Sequence, residues 1–108
     1  MRITTFFAFL ATIFIAAAPL RTEAACPNTV VLLYANSCPH SQRVLEYMKE
    51  IHVTVPVRDV YQDPAAKEEL RTKGGLMQVP CLLIDGKPLY DDELIIQWIK
   101  ENRECLNK

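Results

Sequence analysis

At 108 residues, half of them apolar, and with a formal charge of −1, the chain has material for one domain and no more. Its basic and acidic side chains nearly balance, which leaves no basic stripe for a nucleic acid or an anionic bilayer; Lys67, Arg71 and Lys73 do gather, but Glu68 and Glu69 interrupt them as on a solvated helix face. Its four cysteines form no CxxC or CxxH pair and are spaced too widely for a structural zinc site, so no metal is expected.

The first segment does not belong to the domain. Arg2 supplies a short positive region, Phe6–Ala18 is an unbroken apolar run, and Thr22-Glu23-Ala24 sets small residues at the −3 and −1 positions of a cleavage site. This pattern reads as a secretory signal peptide over 1–24, cleaved after Ala24, ahead of a domain over 25–108. The competing reading is a membrane anchor over 3–20, for which the apolar run is short against a hydrocarbon core of roughly 30 Å. Export places the protein in the periplasm or outside the cell, where disulfides form and persist. Loss of Arg2, Arg21 and Glu23 leaves 10 basic and 12 acidic side chains, and no membrane association is expected after cleavage.

Val30–Tyr34 is a compact run of β-formers, as in a strand buried on both faces. Ala-Asn-Ser ends it in a loop. From Pro39 the periodicity turns helical, with Val44, Met48 and Ile51 recurring at i, i+4 and i+7 and Leu45 widening the stripe. Val53–Val60 reads as a second strand in which Pro56 favours the start or an edge. Asp63-Pro64 caps and starts a helix to Lys73, stopped by Gly74-Gly75. Val79-Pro80 leads into a strand over Cys81–Ile84, an Asp85-Gly86 hairpin turn and a strand over Lys87–Tyr90. Asp91-Asp92 opens a last helix with Leu94, Ile95, Trp98 and Ile99 on one stripe, reaching Cys105, and Trp98 is assigned to the core. The order β-α-β-α-β-β-α, with a crossover helix between the first two strands, predicts an α/β fold: a four-stranded mixed sheet with helices on both faces.

Cys38 falls at the N-terminus of the first helix, where unpaired N–H groups and the helix dipole favour an anion and the sulfur stays near the surface. A thiol attacks as its thiolate, so this position suits a nucleophile. His40, in the first turn, would add a favourable charge when protonated, although the dipole there opposes its protonation. Ser41 stands where a second cysteine would complete CxxC. The usual local disulfide is therefore closed to Cys38, and a one-thiol cycle is indicated, in which substrate sulfur is held as a mixed disulfide and an external thiol resolves it. Val79-Pro80 reads either as a cis bond turning the Val79 backbone outward toward an extended ligand, or as a trans proline starting an edge strand.

The strand, Cys38-Pro39-His40-Ser41-Gln42-Arg43, Val79-Pro80-Cys81-Leu82-Leu83-Ile84-Asp85-Gly86 and the acidic closing helix stand in the order and spacing of a glutaredoxin. The chain resembles that family, and the related N-terminal domain of glutathione transferases, over 29–103. The resemblance implies a thioredoxin-like glutaredoxin fold, a cis Val79-Pro80 peptide, Cys38 as nucleophile just before Pro39, glutathione as co-substrate lying along Val79, and its γ-glutamyl end received by Asp91-Asp92. Two departures bear on glutathione: the pair is doubly acidic, and Tyr34-Ala35-Asn36-Ser37 lacks the lysine many members carry. Cys-Pro-His-Ser also differs from the Cys-Gly-Phe-Ser associated with iron–sulfur clusters, so no bound cofactor is expected.

Cys81, directly after Pro80, is either a small buried hydrophobe or a nonlocal resolving thiol for Cys38, the latter requiring a Cα separation of at most about 7 Å. Cys26 precedes the first strand and Cys105 trails the last helix; a disulfide between them would staple the domain's ends, against free thiols or pairing to another chain. The sequence thus points to an exported, monomeric thiol–disulfide oxidoreductase acting on glutathione or protein thiols and disulfides. Its alternatives are a non-catalytic peptide-binding module of the same fold, or an oxidoreductase fed by a dedicated protein reductant.

Overall fold

The computed structural model describes residues 26–107. The expected signal peptide over 1–24 and its alternative, an anchor over 3–20, lie outside them. The chain runs β1 (Val30–Tyr34), α1 (Pro39–Glu50), β2 (Val57–Asp59), α2 (Pro64–Glu69) continued by a π-helical turn (Leu70–Gly74), β3 (Cys81–Ile84), β4 (Lys87–Tyr90), α3 (Asp92–Glu101) and a short α4 (Arg103–Leu106). The four strands form one sheet in the order β2-β1-β3-β4. β1 and β2 are parallel, as the crossover helix requires, and the other pairs are antiparallel.

β1 is central and its consecutive leucines divide the core. Leu32 packs with Val44, Met48, Leu82, Ile95 and Ile99 under α1 and α3, while Leu33 packs with Val60, Ala66, Leu70, Cys81 and Leu83 under α2. Both leucines are fully buried, which is why the strand shows no polar alternation. Trp98 lies against the α1 and α3 side of this core.

Three element boundaries differ from the sequence expectation. The second strand is Val57–Asp59 instead of Val53–Val60. Pro56 has no N–H for a ladder, although its carbonyl accepts from Leu32 N at 2.9 Å; Val53 and Val55 are buried as core without pairing. The second helix loosens into its π-helical turn from Leu70 and ends at Gly75, whose φ of 86° is left-handed. The last helix breaks at Asn102, which turns its side-chain amide back to the Trp98 carbonyl at 2.8 Å, so Cys105 lies on α4.

At the end of the sheet where β1 begins, Cys26 and Cys105 are disulfide-bonded, with Cα atoms 5.4 Å apart. The same end is tied by Asp85, whose Oδ1 accepts from Asn28 N and Thr29 N at 2.8 and 2.9 Å. Asp85 and Gly86 both have positive φ (51° and 82°), the backbone of a two-residue hairpin turn. The opposite end gathers the loops that follow β1, β2 and β4 and the loop that enters β3.

Candidate active site

Cys38 is the N-cap of α1, in extended conformation, with Pro39 as the first helical residue. Its N–H donates to Ala35 O and its carbonyl accepts from Gln42 N, each at 3.0 Å. The approach to it is held by two helix residues. Ser41, completely buried, accepts from Ala35 N at 3.3 Å through Oγ, and the Gln42 amide donates to Asn36 O at 2.8 Å. The position that would carry the second thiol of a CxxC pair is thus a packed hydroxyl that fixes the loop. The Cys38 sulfur is partly exposed, and no side-chain bond caps the helix at it. Its Sγ lies 3.8 Å from the Val79 carbonyl oxygen.

Val79 belongs to the loop that enters β3, and the Val79–Pro80 peptide is cis. Tyr90, on β4, holds this loop from behind: its hydroxyl donates to Leu76 O at 2.6 Å and accepts from Leu76 N at 3.1 Å. Gly74 makes room for that hydroxyl, since a Cβ there would lie 2.5 Å from Tyr90 Oη. Beyond the proline, Cys81 pairs with Leu33 and Tyr90 and is completely buried on the α2 side of the sheet. Burial pushes its thiol up, with the Tyr90 hydroxyl and a backbone bond from Leu89 acting the other way. The helix that carries Cys38 covers the opposite face, and Cys81 is packed among the hydrophobic side chains of the α2 side.

The acidic pair at the start of α3 is engaged within the chain. Asp91, at φ 83°, caps the helix by accepting from Glu93 N at 2.9 Å. Asp92 is only 8% exposed, and its Oδ2 accepts from His40 Nδ1 at 3.1 Å and from Arg43 Nη1 at 3.0 Å. The His40 imidazole and the Arg43 guanidinium, against the opposing effect of burial, hold the Asp92 carboxyl below the usual carboxylate range; Asp92 in turn raises Arg43. His40 is therefore tied to α3, with most of its ring in solvent. Arg43 was not singled out by the sequence reading. Its spacing of three from His40 puts both on one side of α1, but a partner 49 residues away leaves no local signal.

The arrangement offers a single partly exposed cysteine at a helix N-terminus, with the Val79 backbone at its side. It can hold one substrate sulfur as a mixed disulfide. Among the described residues, no three His, Cys, Asp or Glu side chains converge as a metal would require.

A family model described as Glutaredoxin matches residues 30–89, more than half of the chain. No curated protein matches the sequence. Among solved structures, the thioredoxin-like protein BC3987 aligns with a TM-score of 0.56 and 23% identity, over 72% of this chain and 100% of its own. A glutaredoxin from Archaeoglobus fulgidus aligns with a TM-score of 0.54 and 23% identity, over 66% of this chain and 85% of its own. A glutathione S-transferase from Drosophila melanogaster aligns with a TM-score of 0.56 and 21% identity, over 74% of this chain but 36% of its own. At these identities the structural likenesses speak for the fold, which is the thioredoxin-like fold expected from the sequence.

Proposed function

The chain belongs to the glutaredoxin family, and from that premise we propose that it is a thiol–disulfide oxidoreductase working through Cys38 alone. The observation that carries this reading is the position of the Cys38 sulfur: partly exposed, at the N-terminus of α1 and 3.8 Å from the Val79 carbonyl. As its thiolate, Cys38 attacks a substrate disulfide in line with its S–S bond. One substrate sulfur becomes bonded to Cys38 and the other leaves as a thiolate. With Ser41 in place of a second cysteine and Cys81 packed on the far face, the mixed disulfide waits for an external thiol, for which glutathione is the co-substrate that family membership supports.

The same reading places the protein outside the cytoplasm. Its support is the signal-like pattern over 1–24 together with the Cys26–Cys105 disulfide, a bond that oxidising compartments maintain.

The test is reduction of a glutathione mixed disulfide of a cysteine peptide, with glutathione as reductant, by the protein and by its Cys38→Ser variant. Turnover that disappears in the variant supports a one-thiol cycle at Cys38. A folded protein with no turnover above the variant would remove the glutathione-linked cycle and leave an oxidoreductase fed by a protein reductant or a binding module.

A further inference from the structure

We infer, resting on the oxidoreductase reading of Cys38, that the surface around this thiol takes a polypeptide disulfide whose cysteine is flanked by large apolar side chains, in preference to a small anionic disulfide. The first observation is where the chain exposes its large hydrophobics. Among the described residues these are Val57, Tyr61, Leu76, Met77 and Leu94. Leu76 and Met77, each about half exposed at 52% and 53%, lie on the loop that brings Val79 to the Cys38 sulfur. Leu94 is in the first turn of α3, two residues beyond the Asp92 that His40 contacts. Tyr61 follows β2, which runs parallel to β1. All but Val57 therefore stand at the end of the sheet where Cys38 stands. Scattered exposed apolar residues need no explanation, but four at the sheet end that carries the one reactive thiol, two of them on the loop that reaches it, make a contact surface.

The second observation is charge. The carboxylates that would receive the ammonium of a small zwitterionic thiol at this rim already have partners within the chain: Asp91 Oδ1 caps α3, and the buried Asp92 takes both His40 and Arg43 on Oδ2. An incoming ammonium would compete with two cationic side chains for Asp92 Oδ2. A polypeptide needs neither carboxylate. It has main-chain groups for the Val79 backbone, which lies outside the strand ladders, and its neighbouring side chains cover Leu76 and Met77.

In the exchange, the Cys38 thiolate bonds to one sulfur of the polypeptide disulfide, and the other leaves and takes a proton from water. A dithiol in solution then attacks the polypeptide sulfur and restores the Cys38 thiolate. Its second thiol closes a ring and frees the polypeptide thiol, so that two electrons pass from the dithiol to the substrate.

The test measures kcat/KM of the full protein, above its Cys38→Ser background, with dithiothreitol as the dithiol and three substrates: glutathione disulfide, a peptide disulfide with Leu and Phe beside each cysteine, and the same peptide with Ser and Glu there. The expected result is at least a 10-fold preference for the apolar peptide over both others, and collapse of the preference between the two peptides in the Leu76→Asp, Met77→Asp double variant and, partly, in the milder Met77→Ser. Equal or faster turnover of glutathione disulfide overturns the inference while sparing the oxidoreductase reading. An unchanged preference in both variants also overturns it, as does a dimer in sedimentation that Met77→Ser dissociates, which would give the rim to a second copy. No turnover of any substrate removes both readings together.

Discussion

His40 Nδ1 stands 3.1 Å from Asp92 Oδ2, joining the first turn of α1, two residues past the reactive thiol, to the first turn of α3 across 52 residues of chain. The bond makes the acidic start of α3 part of the scaffold of the Cys38 helix, with Arg43 on the same oxygen.

Asp92→Asn removes the charge beneath both cations while keeping the shape. Bonds to charged groups contribute more than neutral ones, and here the two partners face solvent, so the expected loss is about 1–2 kcal/mol. Urea unfolding at neutral pH measures it. Because the folded state lowers the Asp92 pKa, its contribution is fully present above the unfolded carboxylate value of roughly 4 and is lost as pH falls through the lower folded value. The difference between wild type and Asp92→Asn is therefore expected to shrink as unfolding is measured at progressively lower pH below about 4. A difference that persists undiminished at the acid end would assign the bond no ionic character.

The two free cysteines are expected to part company in a thiol-modification assay. Cys38 is partly exposed and reacts in the native protein; Cys81 is completely buried, its thiol pushed up by desolvation, and reacts only when the domain opens. One equivalent released rapidly and a second only in denaturant is the expected outcome. Cys81→Ala is expected to keep Cys38-dependent turnover and to cost about 1 kcal/mol in stability for the small cavity. Loss of turnover in a folded Cys81→Ala would restore it as a resolving thiol.

The four strands, the order of elements along the chain and the place of Cys38 were legible because each rests on local pattern: the doubly buried Val30–Tyr34 run, the proline after the cysteine, and the Asp85-Gly86 turn. The limits of β2 were not. Val53 and Val55 are apolar because they fill the core beside α1, and burial alone does not separate an extended core segment from a laddered strand. The roles of Asp91 and Asp92 were hidden for another reason. A carboxylate at a helix start serves equally as a cap, an ion-pair partner or a ligand group, and the pairing of Asp92 depends on the approach of His40 and Arg43 from another element.

Tyr90→Phe deletes the hydroxyl that both donates to and accepts from Leu76, leaving the loop before Val79 without its tie to β4. The expected stability loss is about 1 kcal/mol. The sharper consequence is kinetic: a loosened Val79 loop weakens substrate alignment, so KM for a peptide disulfide rises more than kcat falls. Gly74→Ala attacks the same contact from the other side, because its Cβ would meet Tyr90 Oη and lie 3.1 Å from Leu70 Cδ1. It is expected to lower the thermal midpoint, and the combination with Tyr90→Phe to be less than additive, since removing the hydroxyl opens space for the methyl.

The Cys26–Cys105 bond closes a loop of 79 residues at the end of the sheet away from Cys38. In the chain-entropy account, a loop of that length contributes about 4 kcal/mol, a large share of the stability of so small a domain. The Cys26→Ser, Cys105→Ser double variant is therefore expected to unfold at a much lower denaturant concentration. Trp98, the only tryptophan, lines the same surface hollow as Cys26 and reports the transition by its emission. Where the variant remains folded, turnover at Cys38 is expected to match wild type, because α4 meets α1 at its C-terminal end, where Arg103 donates to the Ile51 carbonyl, at the opposite end of that helix from Cys38. A variant as stable as wild type would mean that Asp85 and its bonds to Asn28 and Thr29 already hold that end, while impaired turnover in the folded variant would show the two ends of the sheet to be coupled.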